Sequence, residues 1–221
     1  MEQPMAVEAG RRGDRVPTEK MGGTGAVLSV QIERARKAGE TSRPVILVEG
    51  VSDQRAIEAL GRRLGRDLRA EGMDILPIAG ATNARRFLNL LGPGGYDVSL
   101  AGLCDLGETG MFRQGLEDAG LGSDLTRSDM ERLGFFVCVS DLEDELIRAL
   151  GVATVEAVIE AQGELRSFRS FQNQPAQRNK AIERQLWRWM GNRKIRYAHL
   201  LVDALDLTRV PQPLYALLSY V

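Results

Sequence analysis

The chain has 221 residues, 43% of them hydrophobic, and a formal net charge of −1. That length buries one good core with room for a helical appendage, and the near-zero charge excludes the global field that marks a nucleic-acid or membrane-surface binder. Its apolar runs fall far short of the roughly 20 residues that span a bilayer; with no basic start and apolar h-region, no secretory leader is expected and the expected setting is the cytoplasm.

Residues 1–42 read as an arm. The stretch up to about Gly25 is rich in Gly, Pro and charge without an apolar period, which predicts disorder. "AVLSVQIERARKAG" (Ala26–Gly39) has the loose one-sided spacing of Val27, Val30, Ile32 and Ala35 that suits a short amphipathic helix.

A regular alternation follows over 43–150. "PVILVE" is a continuous apolar run of strand length, and the helix after it places Ala56, Ile57, Leu60 and Leu64 at helical spacing. "DILPIAG" is a second strand and "TNARRFLNLL" a second helix, with Thr82 as its expected N-cap. "DVSLAGLCD" is a third strand, "ETGMFRQGLEDAG" a short helix, and "GFFVCVSDLEDELIRAL" a fourth strand turning into an acidic helix start. Strands that are apolar on both faces and separated by helices indicate a parallel sheet with helices on each side. Their carboxyl ends then share one edge, where α/β proteins place their sites. Residues 151–221 read as helices only, the last with Pro211 near its start.

Cys104 and Cys138 lie in apolar runs and read as buried thiols. A zinc site is not expected, because neither belongs to a C-x-x-C pair and the only histidine is His199.

The strand ends are acidic. Glu49 ends the first strand and Asp53 opens its helix; Asp105 ends the third, with Glu108 three residues on; Asp141 and Glu143 follow the fourth. Carboxylates brought together repel one another unless cations lie between them, and hard oxygen donors suit Mg²⁺ or Mn²⁺. Two such ions activate a water and stabilise the leaving oxygen of a phosphodiester. Taken singly, Asp53, Asp141 and Glu143 are better explained by capping and dipole effects in first helical turns. Glu49 and Asp105 end strands and lack that explanation.

"VEGVSD", "GLCDLGE" and "VSDLEDEL" together resemble the TOPRIM domain, and most of all its version in the OLD-family (overcoming lysogenization defect) ATP-dependent endonucleases. The resemblance covers about Arg43 to Leu205 and implies a Rossmann-like α/β fold of about four parallel strands flanked by helices, with a C-terminal helical extension. It implies a Mg²⁺- or Mn²⁺-dependent DNA endonuclease or nicking activity. Glu49 and Asp53 would hold one ion, and Asp105 with Glu143 the other; Glu108 and Asp141 are further candidates. Glu49 and Asp105 take catalytic roles in that reading.

The family also uses a late lysine. "KIRYAHLL" offers Lys194, which is either that group or a solvated lysine at a helix start. One departure stands out: the family's Asp-x-Asp is "DLG" here, so Gly107 occupies the second position. This leaves open a degenerate module that binds nucleic acid or a partner ATPase without catalysis. A nucleotidyl-transfer or small-phosphate hydrolase is a third reading. No G-x-x-x-x-G-K-[ST] signature occurs, so any ABC-type ATPase is expected to be a separate subunit.

Between Arg178 and Arg196 seven basic residues face a single acid, Glu183. Arg184, Arg188 and Arg193 are the candidate phosphate contacts, with a solvated helix face as the alternative. Trp187 and Trp189 read mainly as packing for the helical region, and Arg85 and Arg86 as further cations near the rim.

Overall fold

A computed structural model describes residues 23–221, with side chains from residue 25 onward. The expected disorder of the arm up to residue 22 falls outside the described residues. The first helix, α1 (Gly23–Glu40), covers and extends the amphipathic stretch.

Four strands follow: β1 (Val45–Val48), β2 (Asp74–Pro77), β3 (Leu100–Asp105) and β4 (Phe135–Cys138). Every pairing is parallel and the order is β2-β1-β3-β4. The crossovers are α2 (Val51–Arg63), α3 (Ala84–Leu91), and the pair α4 (Thr109–Asp118) and α5 (Arg127–Arg132). After β4 the chain is helical: α6 (Leu142–Leu150), α7 (Val152–Ala161), α8 (Leu165–Gln172), α9 (Ile182–Met190), α10 (Lys194–Asp203) and α11 (Gln212–Tyr220). This is the expected four-stranded parallel sheet flanked by helices. Among the described residues no helix is long and apolar enough to cross a membrane.

The continuous apolar runs are explained by two cores, one on each face of the sheet. Successive strand residues point to opposite faces. Ile46, Val48, Leu103, Phe136 and Cys138 enter a core closed by α2 and the helices after β4, while Val45, Leu47, Cys104, Phe135 and Val137 enter one closed by α1, α3, α4 and α5. A buried Val or Leu contributes about 1.5–3 kcal/mol, so both faces select against polar residues. Gly102 has a separate reason: a Cβ there would lie 2.6 Å from the Phe135 ring and 3.0 Å from the Leu47 carbonyl oxygen.

Two local expectations are corrected. Thr82 does not cap the second helix; it lies in a short 3-10 turn, and the Asn83 side-chain amide donates to the Ile78 and Ala79 carbonyls. The helix α5 adds to the expected elements, although its signal is local: the Thr126 hydroxyl accepts from the Asp129 N–H, and the Asp129 carboxylate accepts from the Thr126 N–H. Both cysteines are buried and free, as expected.

Chain direction across the sheet reverses at β1. The path steps from β1 to β2 on one side and returns over β1 to β3 on the other. Such a reversal opens a crevice between the carboxyl ends of the two strands, the usual ligand position in open α/β sheets. Glu49 and Asp105 stand at those two ends.

Candidate active site

The rim is assembled from the ends of three strands and two distant helices. Glu49 follows β1, and its carboxylate accepts a hydrogen bond from the Asp105 backbone N–H at 2.9 Å. The bond ties the two sides of the crevice together. Four residues on, the Asp53 carboxylate accepts from the Gly50 N–H at 2.8 Å, so the capping role open to it from sequence is realised.

Asp141 is the N-cap of α6, accepting from the Asp144 N–H at 2.8 Å through one oxygen. Its other oxygen accepts from the Trp187 indole N–H at 2.8 Å and lies 3.4 Å from the Lys194 ammonium. Glu143, in the first turn of α6, is only 3% exposed at its side chain. Its Oε2 accepts from Lys194 at 2.6 Å, while Oε1 is buried without any hydrogen-bond partner. A buried, unpartnered carboxylate oxygen costs roughly 1–3 kcal/mol, which a cation or donor at that point would relieve.

Lys194 reaches the rim because α10 lies alongside α2. Arg55 donates to the Ile195 carbonyl at 2.8 Å, and Arg63 to the carbonyls of Val202 and Leu205 at 2.7 and 2.6 Å. These contacts run in the same order along both helices, so the amino end of α10 lies beside the amino end of α2, where Asp53 is. Lys194, 37% exposed at the start of α10, faces Glu143 and Asp141 from there.

Crowding dominates the electrostatics. Burial first, and then the neighbouring Glu143 charge, push Asp53 up to about 7. Burial, Glu49 and Asp53 push Asp105 up to about 8. Burial raises Glu49 against the opposing hydrogen bond from Asp105, with Glu108 adding repulsion. Glu143 is also raised by burial, despite its ammonium. Burial opposes the charge of Lys194, but Glu143, Asp141 and Asp105 outweigh it and hold the ammonium protonated. These mutual effects connect Glu49, Asp53, Asp105, Asp141 and Glu143 as one acidic group, to which the Glu108 charge adds through Glu49. The donor set is all hard oxygen and suits a divalent cation such as Mg²⁺ or Mn²⁺. Spacing is another matter: among the described residues no group of three or more His, Cys, Asp or Glu has the arrangement to hold a metal ion. The reason is visible in the bonds already made, which turn Glu49 towards Asp105, Asp53 towards Gly50 and one Glu143 oxygen towards Lys194. The donor chemistry and the free Glu143 oxygen fit a cation; the other carboxylates must rotate to close around it.

Position 107 contributes nothing to the rim, and a Cβ built there would meet no atom within 4 Å. A cleft of about 770 Å³ lies elsewhere, between α1, α2 and β2, and its lining includes none of the rim carboxylates.

The basic stretch divides in two. Arg184 and Arg188 are exposed on α9, and the Arg184 guanidinium stacks 4.0 Å from the Trp187 ring centre. Lys180 is held below its ordinary value by desolvation and by Arg188 and Arg184. Arg193 instead pairs with Glu164 at 3.3 Å and stacks on Trp189, so its charge has an internal partner. Trp189 packs edge-on between Phe168 and Tyr197, as expected of a core residue. Trp187 is only partly buried and serves the rim through its N–H, a role its sequence position does not show. Arg85 is paired with Asp118 at 2.8 Å.

Residues 41–106 match the family model for the "Overcoming lysogenization defect protein-like, TOPRIM domain". The fold is similar to the C-terminal region of the Burkholderia pseudomallei OLD protein, with 23% identity and a TM-score of 0.62 over 80% of this chain and 96% of that one. It is similar also to the C-terminal region of the Xanthomonas campestris pv. campestris OLD protein, with 26% identity and a TM-score of 0.59 over 80% of this chain and 93% of that one. No curated protein matches the chain. The matched segment holds Glu49, Asp53 and Asp105 and stops before Asp141, Glu143 and Lys194.

Proposed function

We propose, from the match of residues 41–106 to the OLD-like TOPRIM family model, that this chain is a divalent-metal-dependent DNA endonuclease or nicking enzyme. The supporting observation is the meeting of Glu49, Asp53, Asp105 and Glu143 at the β1–β3 crevice beside Lys194, with one buried Glu143 oxygen left without a partner. A bound Mg²⁺ or Mn²⁺ supplies Lewis-acid polarisation of the phosphoryl group and a nucleophile at neutral pH.

The chain's own residues do the rest. Glu49 and Asp53 would hold one cation and Asp105 with Glu143 the other, and Glu49 or Asp53 would help orient the attacking water. Lys194 steadies the negative charge that develops on the phosphoryl oxygens. Arg184 and Arg188 take the DNA backbone. In this reading residues 43–150 form the catalytic unit and residues 151–221 complete it, because Trp187 and Lys194 come from the helical part. The proposed setting is the cytoplasm, with a separate ABC-type ATPase subunit as a partner.

The test is a plasmid-nicking assay with Mg²⁺, Mn²⁺ or EDTA, on wild type and Glu49→Ala. Cutting that depends on the ion and on Glu49 is expected; cutting unaffected by either would remove the assignment. Gly107 favours a second reading, a degenerate module that binds DNA or a partner ATPase without cleaving. That reading predicts retained DNA binding with no cutting under any ion.

A further inference from the structure

We propose that the cleft between α1, α2 and β2 is a binding site for a small oligophosphate, a ligand of the inorganic triphosphate or nucleoside triphosphate class that is held through its phosphates and not through a base. The site lies apart from the acidic rim and does not depend on the metal-dependent reading above.

On a chain of net charge −1 the cleft concentrates cations. Six basic side chains line it against three acids, Glu58, Asp67 and Asp74. Only Asp74 pairs with a lining cation, Arg43, at 3.2 Å. Asp67 accepts from the Ala70 N–H at 3.0 Å, and Glu58 from the Gln54 amide at 2.8 Å. Arg66 finds its partner outside the lining, in Glu71 at 2.6 Å. Arg34, Lys37, Arg62 and Arg69 are left without an ion-pair partner among the described residues. They come from α1, α2 and the connection between α2 and β2, three separate segments lining one space. Cations gathered in this way repel one another, and an anion between them relieves the repulsion. Guanidinium groups bond phosphate oxygens two at a time, which suits a ligand with several phosphates in a row.

The kind of anion follows from the shape and lining. A volume of about 770 Å³ suits a small molecule. Among the described residues no aromatic ring lines the cleft, so a base has no stacking platform there. Gln54, Glu58 and Arg62 succeed one another at four-residue spacing on one face of α2, and Glu58 stands between Arg62 and the Asp53 end of that helix. A DNA backbone running from the rim into the cleft would cross that carboxylate, so the basic surface is confined and does not continue the rim. An added peptide strand is disfavoured as well. β2 is an edge of the sheet, but Arg34 occupies the Ile75 carbonyl at 3.1 Å and Pro77 has no N–H to offer.

The experiment is a calorimetric titration of the full chain with sodium tripolyphosphate at low salt, with EDTA present so that no metal bridges the anion to the rim. One tripolyphosphate is expected to bind per chain, with ATP and GTP matching it and sulfate far weaker. Arg62→Gln/Arg69→Gln is expected to weaken binding by about tenfold or more. Both side chains are exposed and unpaired, so the melting temperature of that variant is expected to equal wild type. Lys37→Gln, on a different helix, is expected to weaken binding too and serves if the double variant does not fold. No heat from tripolyphosphate, or binding no tighter than that of sulfate, would overturn the site. Loss of binding in Arg184→Ala/Arg188→Ala instead would move the anion to α9 and overturn it as well. A strong preference for ATP over GTP would overturn recognition by phosphate alone. Duplex DNA that displaces tripolyphosphate, and itself binds more weakly to Arg62→Gln/Arg69→Gln, would overturn the small ligand and make the cleft a DNA surface.

Discussion

The Glu49 carboxylate, at the end of β1, accepts a hydrogen bond at 2.9 Å from the backbone N–H of Asp105, at the end of β3. The bond spans the crevice where strand order reverses and ties the first two acidic positions together. It also gives Glu49 a structural duty that can be separated from its chemical one.

Glu49→Gln keeps an acceptor oxygen for the Asp105 N–H but loses the negative charge. Unfolding by urea is expected to change by less than about 1 kcal/mol, while ion-dependent nicking falls by roughly 10- to 100-fold or more. A loss of stability equal to the loss of activity would show that the charge serves folding only.

Removing the ammonium strands a buried carboxylate. In Lys194→Met, Glu143 loses its 2.6 Å partner while its own side chain stays 3% exposed. A fully buried pair broken in this way costs roughly 3–5 kcal/mol; Lys194 is itself 37% exposed, so solvent screening reduces the expected loss to about 1–3 kcal/mol. A urea midpoint equal to wild type at pH 7 would mean that the ion pair contributes nothing.

The crowded acids set a pH dependence with a definite sign. Asp53 and Asp105 are raised from 3.8 to about 7 and about 8. A carboxyl whose folded value lies above its unfolded value stabilises the protein at low pH and loses that contribution as pH rises through the folded value. In EDTA, thermal stability is therefore expected to decline between about pH 4 and pH 8 through these two groups. Mg²⁺ or Mn²⁺ is expected to raise the melting temperature more at pH 8 than at pH 5, because only ionised carboxylates bind it well. An equal shift at both values would place the ion elsewhere.

Arg184 and Arg188 are exposed on one helix face and lack an ion-pair partner among the described residues. If they neutralise phosphates, Arg184→Ala/Arg188→Ala weakens duplex binding and reduces the slope of log K against log salt by about 0.9 for each phosphate left without its arginine. Arg193→Ala is expected to change the slope little and stability more, since its charge faces Glu164. The reverse outcome would exchange their roles.

Much of the frame was readable residue by residue. Strand runs such as "VILV" and "FFVC" are apolar on both faces, and that pattern has few solutions besides a parallel sheet covered twice. Glu49 and Asp105 were legible as site candidates because a carboxylate at a strand end lacks a capping explanation. The cap of α3 was not readable: Thr82 is a good N-cap type, but the Asn83 amide secures the turn through carbonyls before it. Nor was the division among the arginines, because Arg184 and Arg193 look alike until Glu164 is seen beside one of them.

What the amino-acid order determined alone is periodicity and chemistry: which segments must be buried, where each strand stops, and which acidic groups stand at its end. Only the tertiary structure decided that Lys194 and Trp187, some 50 residues beyond the last strand, turn towards those acids. The reason is physical. Burial is dictated locally by continuous apolar strand runs and by helical apolar spacing, whereas the approach of α10 to α2 depends on packing angle and on arginines reaching carbonyls across the interface, which leave no period in the chain.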